Sequence, residues 1–186
     1  MADSEMFSTA DPVIANSAAT GGRARAVFQT IGQTFLILLL ATGSYFLVSH
    51  FLVESVTVVG VSMVPTLHNS EHYLLNRWVY YVRAPKPEDV IVLRDPADHG
   101  LSVKRIIAVG GDSIALKDGR VYINGRLLSE PYLPPGIRTF ASASIDGVYK
   151  CPKDAFFVLG DNRNNSVDSR AYGPVPRGNV LGLIIR

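Results

Sequence analysis

The hydrophobic pattern divides the chain into a continuous apolar stretch and a long run of short, broken ones. Met1 to Gly22 is rich in Ala, Ser, Thr and Asp with no apolar period. That composition predicts a disordered tail, over 1–25 once the two arginines are included. From Ala26 to Val53 there is no Lys, Arg, Asp or Glu, and the centre reads Phe35-Leu36-Ile37-Leu38-Leu39-Leu40. A helix crossing a bilayer needs about 20 such residues, so 26–53 predicts a transmembrane anchor rather than a core helix. Ser44-Tyr45-Phe46-Leu47-Val48 does not suit a signal-peptide cleavage site, so the anchor is read as uncleaved. Arg23 and Arg25 precede it, which places the N-terminus in the cytoplasm and the rest of the chain, residues 54–186, outside.

After the anchor the pattern is that of short strands between turn residues. Val56 to Val61 is β-branched and predicts a strand. Glu71 to Tyr81 carries Tyr73, Trp78, Tyr80 and Tyr81, which suits either a strand face or contacts with lipid headgroups. Val90 to Leu93, Leu101 to Val109, Ile114 to Leu116, Val121 to Ile123 and Leu127-Leu128 read as further strands. Asp118-Gly119 and Asn124-Gly125 between them are hairpin turns, because both central residues tolerate positive φ. Pro131 to Ser144 is loop-like, and Ala155 to Leu159 and Asn179 to Ile185 close the domain. No segment after the anchor has a helical period. The fold class expected is mainly β, one N-terminal transmembrane helix followed by a β-rich domain.

Composition adds little beyond exclusion. The 186 residues allow one ordinary domain with a core of its own. A formal net charge of +2 shows no basic stripe, which argues against nucleic acid as a partner. Cys151 is alone, so no intrachain disulfide forms and the redox compartment stays undecided. Asp3, Glu5 and Asp11 argue against an organelle transit peptide. The mean hydropathy of +0.19 is raised largely by the anchor.

Three stretches carry candidate chemistry. In Val58-Val59-Gly60-Val61-Ser62-Met63-Val64-Pro65 an apolar run ends at a Gly, a Ser and then a Pro that forbids a central strand. The hydroxyl of Ser62 is thereby presented at a strand end. About ten extended residues from the anchor, it lies no more than about 35 Å from the outer membrane surface. In Leu101 to Val109, alternation puts Ser102, Lys104, Ile106 and Ala108 on one face. Aliphatic neighbours desolvate Lys104, lower its pKa and fit it to act as a base near neutrality. A neutral Lys takes a proton from Ser62 without any His. Gly160 to Arg170 is a polar, turn-rich loop directly after an apolar strand, suited to internal hydrogen bonds that prop a site.

Taken together and in order, these stretches resemble the type I signal peptidases, or leader peptidases. The residues that carry the resemblance are Ser62 to Leu67, Asp89-Val90-Ile91-Val92, Val103-Lys104-Arg105-Ile106, and Gly160-Asp161-Asn162 through Ser166-Val167-Asp168-Ser169-Arg170. It covers roughly Glu54 to Arg186, with an anchor where the family has one. The resemblance implies a Ser–Lys dyad with Ser62 as nucleophile and Lys104 as general base. Ser166 would orient the Lys104 amine, and Asp168 and Arg170 would form an ion pair bracing the loop. The Ser62 N–H would help bind the oxyanion. Gly60, Val61, Met63 and Val103 would line the substrate pockets. The implied substrates are exported preproteins cut after small residues in an A-x-A pattern, at the plasma membrane, with the lipid bilayer as the other partner and no cofactor. In this chain Gly60 stands where some members have a Ser that donates to the oxyanion. Glu88 stands where the family usually has Gly before the Asp, which puts the local turn in question.

Other readings make different demands. His68-Asn69-Ser70-Glu71-His72 matches a zinc-peptidase pattern, but that chemistry needs His68 and His72 on one helix face, with Glu71 between them. Asn69 and Ser70 are poor helix formers, and Pro65 and the Tyr73 to Leu75 run bracket the segment as turn and strand. A self-cleaving repressor-type peptidase would also use Ser and Lys, but carries no membrane anchor. A membrane-tethered β module that only binds a partner would tolerate Ser62→Ala.

Overall fold

The computed structural model describes residues 13–141 and 147–185, with residues 13–24 and 47–53 described by their backbone alone. Two units separate along the chain, Met1–Ser49 and His50–Arg186. The first is a helix, α1, Val13–Leu52. Within it Arg25–Phe46 is long and apolar enough to cross a membrane by length and composition. Its apolar side chains, Phe35 to Leu40 among them, all stand exposed. The expected disordered tail meets this helix at Val13. Ala15, Ala18 and Ala19 are strong helix formers, and the absence of an amphipathic period does not by itself stop a helix. Residues 1–12 of that tail lie outside the described residues. The helix also stops one residue short of the expected anchor, because Val53 already pairs as a strand.

The second unit is mainly β. Its strands are β1 Val53–Thr57, β2 His72–Asn76, β3 Val90–Arg94, β4 Leu101–Val109, β5 Ser113–Lys117, β6 Arg120–Ile123, β7 Arg126–Leu127, β8 Val148–Lys150, β9 Ala155–Leu159, β10 Val175–Pro176 and β11 Val180–Ile185. They form a seven-stranded sheet in the order β1-β2-β11-β3-β4-β9-β10 and a four-stranded sheet in the order β7-β6-β5-β8. Every pairing is antiparallel. The two Gly turns foreseen in the sequence join β5 to β6 and β6 to β7, with Asp118, Gly119, Asn124 and Gly125 all at positive φ. Two single-turn helices, α2 Val79–Val82 and α3 Ser169–Tyr172, were not anticipated, because four residues are too few to display a period.

The central strands β4 and β9 carry the core on both faces. All five residues of β9 are buried. Phe156 and Val158 pack with Ile91, Leu93, Ile106 and Val175, while Phe157 and Leu159 pack with Ile107, Ala108, Ile114 and Val121 on the other side. A third cluster, around Met63, Leu67, Leu75, Val92 and Ile184, fills the end of the unit nearer β1. The register of β4 with β9 shifts between Ile106 and Ala108. Such an irregularity inserts a residue and re-aims the side chains beyond it. Ala108 therefore does not share a face with Ile106, as simple alternation predicts, but joins Ile107 in the other cluster.

Candidate active site

Three pieces of backbone converge on one cleft. The first is the segment after β1. The strand ends at Thr57, earlier than the predicted Val61, because Gly60 turns away at φ 113° and gives its N–H to Asn69 Oδ1 at 2.8 Å. Val58 still pairs across to Glu71 and Ser70 through its backbone, at 3.0 and 2.8 Å. Beyond Gly60 the chain winds through a turn that holds Ser62, with Val64 N–H bonded to Val61 C=O and Leu67 N–H to Met63 C=O. Met63 and Leu67 point into the core and anchor that turn. Val59 and Val61 stand out in solvent.

The second piece is β4. Ile91 of β3 lies opposite Lys104, and Leu159 of β9 lies opposite Arg105, so these two cations sit in the middle of the sheet rather than at its rim. Lys104 is 4% exposed and Arg105 7%. The third piece is the loop that begins where β9 ends, and β9 ends beside Arg105. This adjacency brings Gly160 to Arg170 to the site.

That loop is held on four sides. Asn162 donates its backbone N–H to Ser62 C=O at 2.9 Å and its side-chain amide to Val61 C=O at 3.1 Å. Arg105 donates to both oxygens of Asp161, at 2.9 and 2.6 Å, within the core. Arg163 is fully buried, donating to Gly160 C=O at 3.1 Å, to the Thr139 hydroxyl and to Glu130 at 2.5 Å. Asp168, with no exposed surface, accepts from Gly160 N–H at 3.0 Å and from Arg170 Nε and Nη2, both at 2.8 Å. Arg170 also reaches Arg163 C=O at 2.8 Å. The Asp168–Arg170 ion pair thus sits inside the loop it ties together. A Cβ on Gly160 would come within 2.2 Å of Ser166 Oγ and 2.6 Å of Ser62 C=O. Only glycine admits this close approach of the loop to the Ser62 turn.

Ser62 and Lys104 line the same cleft, of about 470 Å³, together with Gly60, Val61, Val103 and Asn165. Of the sequence-predicted substrate residues, Gly60, Val61 and Val103 are therefore there. Met63 is not: its side chain is 2% exposed and belongs to the core cluster, so it shapes the Ser62 turn instead of a pocket. Lys104 makes no hydrogen bond or ion pair among the described residues. Burial pushes its amine below the usual lysine range, and the more distant carboxylates of Asp168 and Asp95 only partly oppose this. Ser166 Oγ is buried without a hydrogen-bond partner, so the expected bond to the Lys104 amine is not made in this structure. A buried hydroxyl left in this state costs about 1–3 kcal/mol and is ready to accept a partner.

The zinc reading fails on geometry. His68 lies in an irregular segment between two turns and His72 begins β2, where its Nδ1 meets the Thr57 hydroxyl at 3.0 Å, so no helix carries the pair. Glu71 instead takes the Tyr73 hydroxyl. Among the described residues no three His, Cys, Asp or Glu side chains gather as a metal site.

Sequence reasoning missed Asn162 as a clamp on the Ser62 backbone, Asn165 as a wall of the cleft, and the Arg105–Asp161 pair. The signal for the last was present: Arg105 follows Lys104, so it faces away from it, and a buried Arg requires a carboxylate. Glu88, where the resemblance led us to expect Gly, takes a φ of 75°. Its C=O accepts from Arg105 at 3.0 Å.

A mainly β domain that sets a hydroxyl and a desolvated amine along one cleft has the make-up of a hydrolase. Residues 29–185 match the family described as signal peptidase, peptidase S26, and the chain belongs to that family. It is a peptidase of the signal-peptide-removing kind. It is similar to signal peptidase I T of Bacillus subtilis strain 168, 38% identical over 143 residues, covering 74% of this chain and 70% of that protein. Signal peptidase I P of Bacillus subtilis subsp. natto is 39% identical over 152 residues, covering 78% and 82%. The probable signal peptidase I-2 of Synechocystis is 35% identical over 162 residues, covering 82% and 69%. A crystal structure of a signal peptidase I from Enterococcus faecalis V583 aligns with 30% identity and a TM-score of 0.48, over 55% of this chain and 98% of that one.

Proposed function

We propose that the chain is a membrane-tethered serine endopeptidase that cleaves signal peptides from exported preproteins with a Ser62–Lys104 dyad. The observation that carries this reading is the pairing of Ser62 and Lys104 on one cleft, with the lysine buried and, among the described residues, without a carboxylate in contact. Burial lowers the pKa of the amine and so raises its neutral share, and a neutral amine is a base.

In the reaction Ser62 Oγ attacks the scissile carbonyl carbon and its proton passes to Lys104 Nζ. The carbonyl oxygen becomes an oxyanion. The Ser62 N–H, which has no acceptor among the described residues, receives it. The Gly60 N–H already serves Asn69, so Gly60 contributes shape rather than a second donor. The tetrahedral intermediate collapses to an ester on Ser62, and Lys104 returns the proton to the leaving amine. Water then attacks the ester, giving its proton to Lys104, and Ser62 Oγ leaves and recovers it.

Ser166 holds the amine toward Ser62 once the substrate excludes water. Asp168 and Arg170 keep the loop that carries Ser166 in place. Val61 and Val103 present small apolar walls, which suits an A-x-A segment better than bulky side chains. The Arg25–Phe46 helix acts as a single anchor with the N-terminus in the cytoplasm and the peptidase unit outside, at a plasma membrane.

The test is cleavage of a preprotein with an A-x-A site in detergent by the wild type and by Ser62→Ala. Cleavage at that site by the wild type alone supports the reading. Equal cleavage by both overturns Ser62 as the nucleophile.

A further inference from the structure

Two backbone N–H groups stand at the nucleophile, and the fold uses them differently. Gly60 donates to Asn69 Oδ1 at 2.8 Å, so that group is spent within the turn. The Ser62 N–H has no acceptor among the described residues, yet the peptide that carries it is held from its other end. The Val61–Ser62 peptide is trans, so its C=O and N–H point in opposite directions within one plane. Whatever fixes the Val61 carbonyl therefore aims the Ser62 N–H. That carbonyl accepts two bonds, from Val64 N–H at 3.2 Å and from Asn162 Nδ2 at 3.1 Å. A carbonyl that accepts hydrogen bonds also makes the N–H of its own peptide a stronger donor.

Asn162 reaches the peptide on each side of Ser62. Its side-chain amide meets Val61 C=O, and its backbone N–H meets Ser62 C=O at 2.9 Å. A carbonyl only accepts, so the NH2 end of the amide faces Val61. The Oδ1 end accepts in turn from Asn165 Nδ2 at 3.4 Å, and Asn165 lines the cleft. From Asn165 through Asn162 to the Val61–Ser62 peptide, every donor points the same way, and the series ends on the Ser62 N–H. Bonds aligned in this manner polarise one another.

The Asn162 side chain is not what holds the loop. Its neighbours do that. Asp161 is paired with Arg105, and Arg163 is buried against Gly160 C=O, Thr139 and Glu130. Asn162 itself is half-buried, and its backbone bond to Ser62 C=O does not depend on the side chain. Removing the amide therefore leaves the loop seated and loosens the Val61 carbonyl.

We propose that Asn162 is a positioning residue for acyl transfer, whose side-chain amide aims and polarises the Ser62 N–H through the Val61–Ser62 peptide, with Asn165 in support. This rests on the reading of Ser62 as the nucleophile and deepens it. The Ser62 N–H gains most when the scissile carbonyl oxygen takes on charge, so loss of Asn162 is felt in the transition state more than in substrate binding.

The test compares Asn162→Ala and Asn162→Asp in the full chain in detergent. Aspartate keeps the shape, but an ionised carboxylate only accepts and cannot serve the Val61 carbonyl. In Asn162→Ala, kcat for preprotein cleavage should fall by about 10- to 100-fold with KM nearly unchanged. Asn162→Asp should fall at least as far. The rising pH limb set by Lys104 should stay in place in the alanine variant. A peptide ending in an Ala-x-Ala aldehyde isolates the oxyanion. Ser62 Oγ bonds to its carbonyl carbon, the carbon–oxygen π pair moves onto the oxygen, and the Ser62 proton passes to Lys104. Its inhibition should weaken in Asn162→Ala by the same factor as kcat. The same peptide ending in the alcohol has no carbonyl to add to, and should bind as it does to the wild type. Wild-type kcat in Asn162→Asp overturns the proposal. So does equal weakening of aldehyde and alcohol, which makes Asn162 a brace for the cleft, and so does a displaced pH limb, which makes it act on Lys104. Loss of the folded state in both variants assigns the side chain to stability and overturns the proposal too. Equal cleavage by Ser62→Ala is a separate result, which overturns the nucleophile itself.

Discussion

Lys104 and Arg105 are neighbours on β4, both cations and both buried, and the fold treats them in opposite ways. Arg105 is given everything a buried charge requires. Asp161 meets it with two oxygens, Glu88 C=O and the Thr66 hydroxyl take its remaining hydrogens at 3.0 and 3.3 Å, and the Tyr132 ring lies 4.0 Å beneath it. Burial alone would lower its pKa, but the hydrogen-bonded Asp161 outweighs that and holds it above the usual range. Lys104 is given burial and, among the described residues, no hydrogen-bond or ion-pair partner, and is pushed the other way. A cation meant to brace a structure is paired, whereas one meant to exchange a proton is left without a carboxylate in contact.

The largest expected effect comes from making the two alike. Lys104→Arg places a permanent charge where the proposed mechanism requires a base, and kcat/KM for preprotein cleavage should fall by about 10²- to 10⁴-fold. Cleavage near wild-type rate in that variant would remove the lysine from the mechanism. Breaking the other side comes next. Asp161→Asn strands the Arg105 charge, so chemical denaturation should show a loss of about 3–5 kcal/mol, with cleavage falling because Asn162 no longer holds the Ser62 turn.

The contrast is sharpened by pH. Lys104 binds its proton less readily in the folded chain than in the unfolded one, so unfolding takes up a proton between its lowered pKa and the ordinary 10.5. Stability contributed by this site therefore rises with pH across that window and is flat above it. Lys104→Met should remove this slope, and the difference between the two denaturation midpoints should narrow toward alkaline pH. A constant difference would mean that Lys104 is not shifted. The smallest effect is on the Arg105 side. Glu88→Gly relieves a non-glycine residue at φ 75° and should stabilise the chain by up to about 1 kcal/mol, with the bond from Arg105 to the residue-88 carbonyl kept.

Much of this was readable in the sequence where local chemistry decides the outcome. The apolar run around Phe35 to Leu40, the hairpin turns at Gly119 and Gly125 and the strand around Lys104 follow from composition and period alone. Ser62, Lys104 and the loop from Gly160 were singled out by pattern and then by family resemblance. The features that escaped depend on contacts distant in the chain. The short strands Val148–Lys150 and Val175–Pro176 exist only because longer neighbours offer an edge. The β4 irregularity that separates Ala108 from Ile106 is invisible to a period-two reading. Met63 looked like a pocket residue beside Ser62, yet the turn points it inward, since an apolar side chain there fills the core. Asn162 shows its role only when β9 lays it against the Ser62 carbonyl.

The central claim is that the Lys104 amine, unlike the Arg105 guanidinium, is poised to lose its proton. The most direct measurement is an NMR titration of the chain in micelles with lysine labelled at the ε-carbon, the Lys104 signal being assigned by its absence in Lys104→Met. Lys104 should titrate below 10.5, and its midpoint should match the rising limb of kcat/KM. A Lys104 signal that titrates at or above 10.5 would contradict the account.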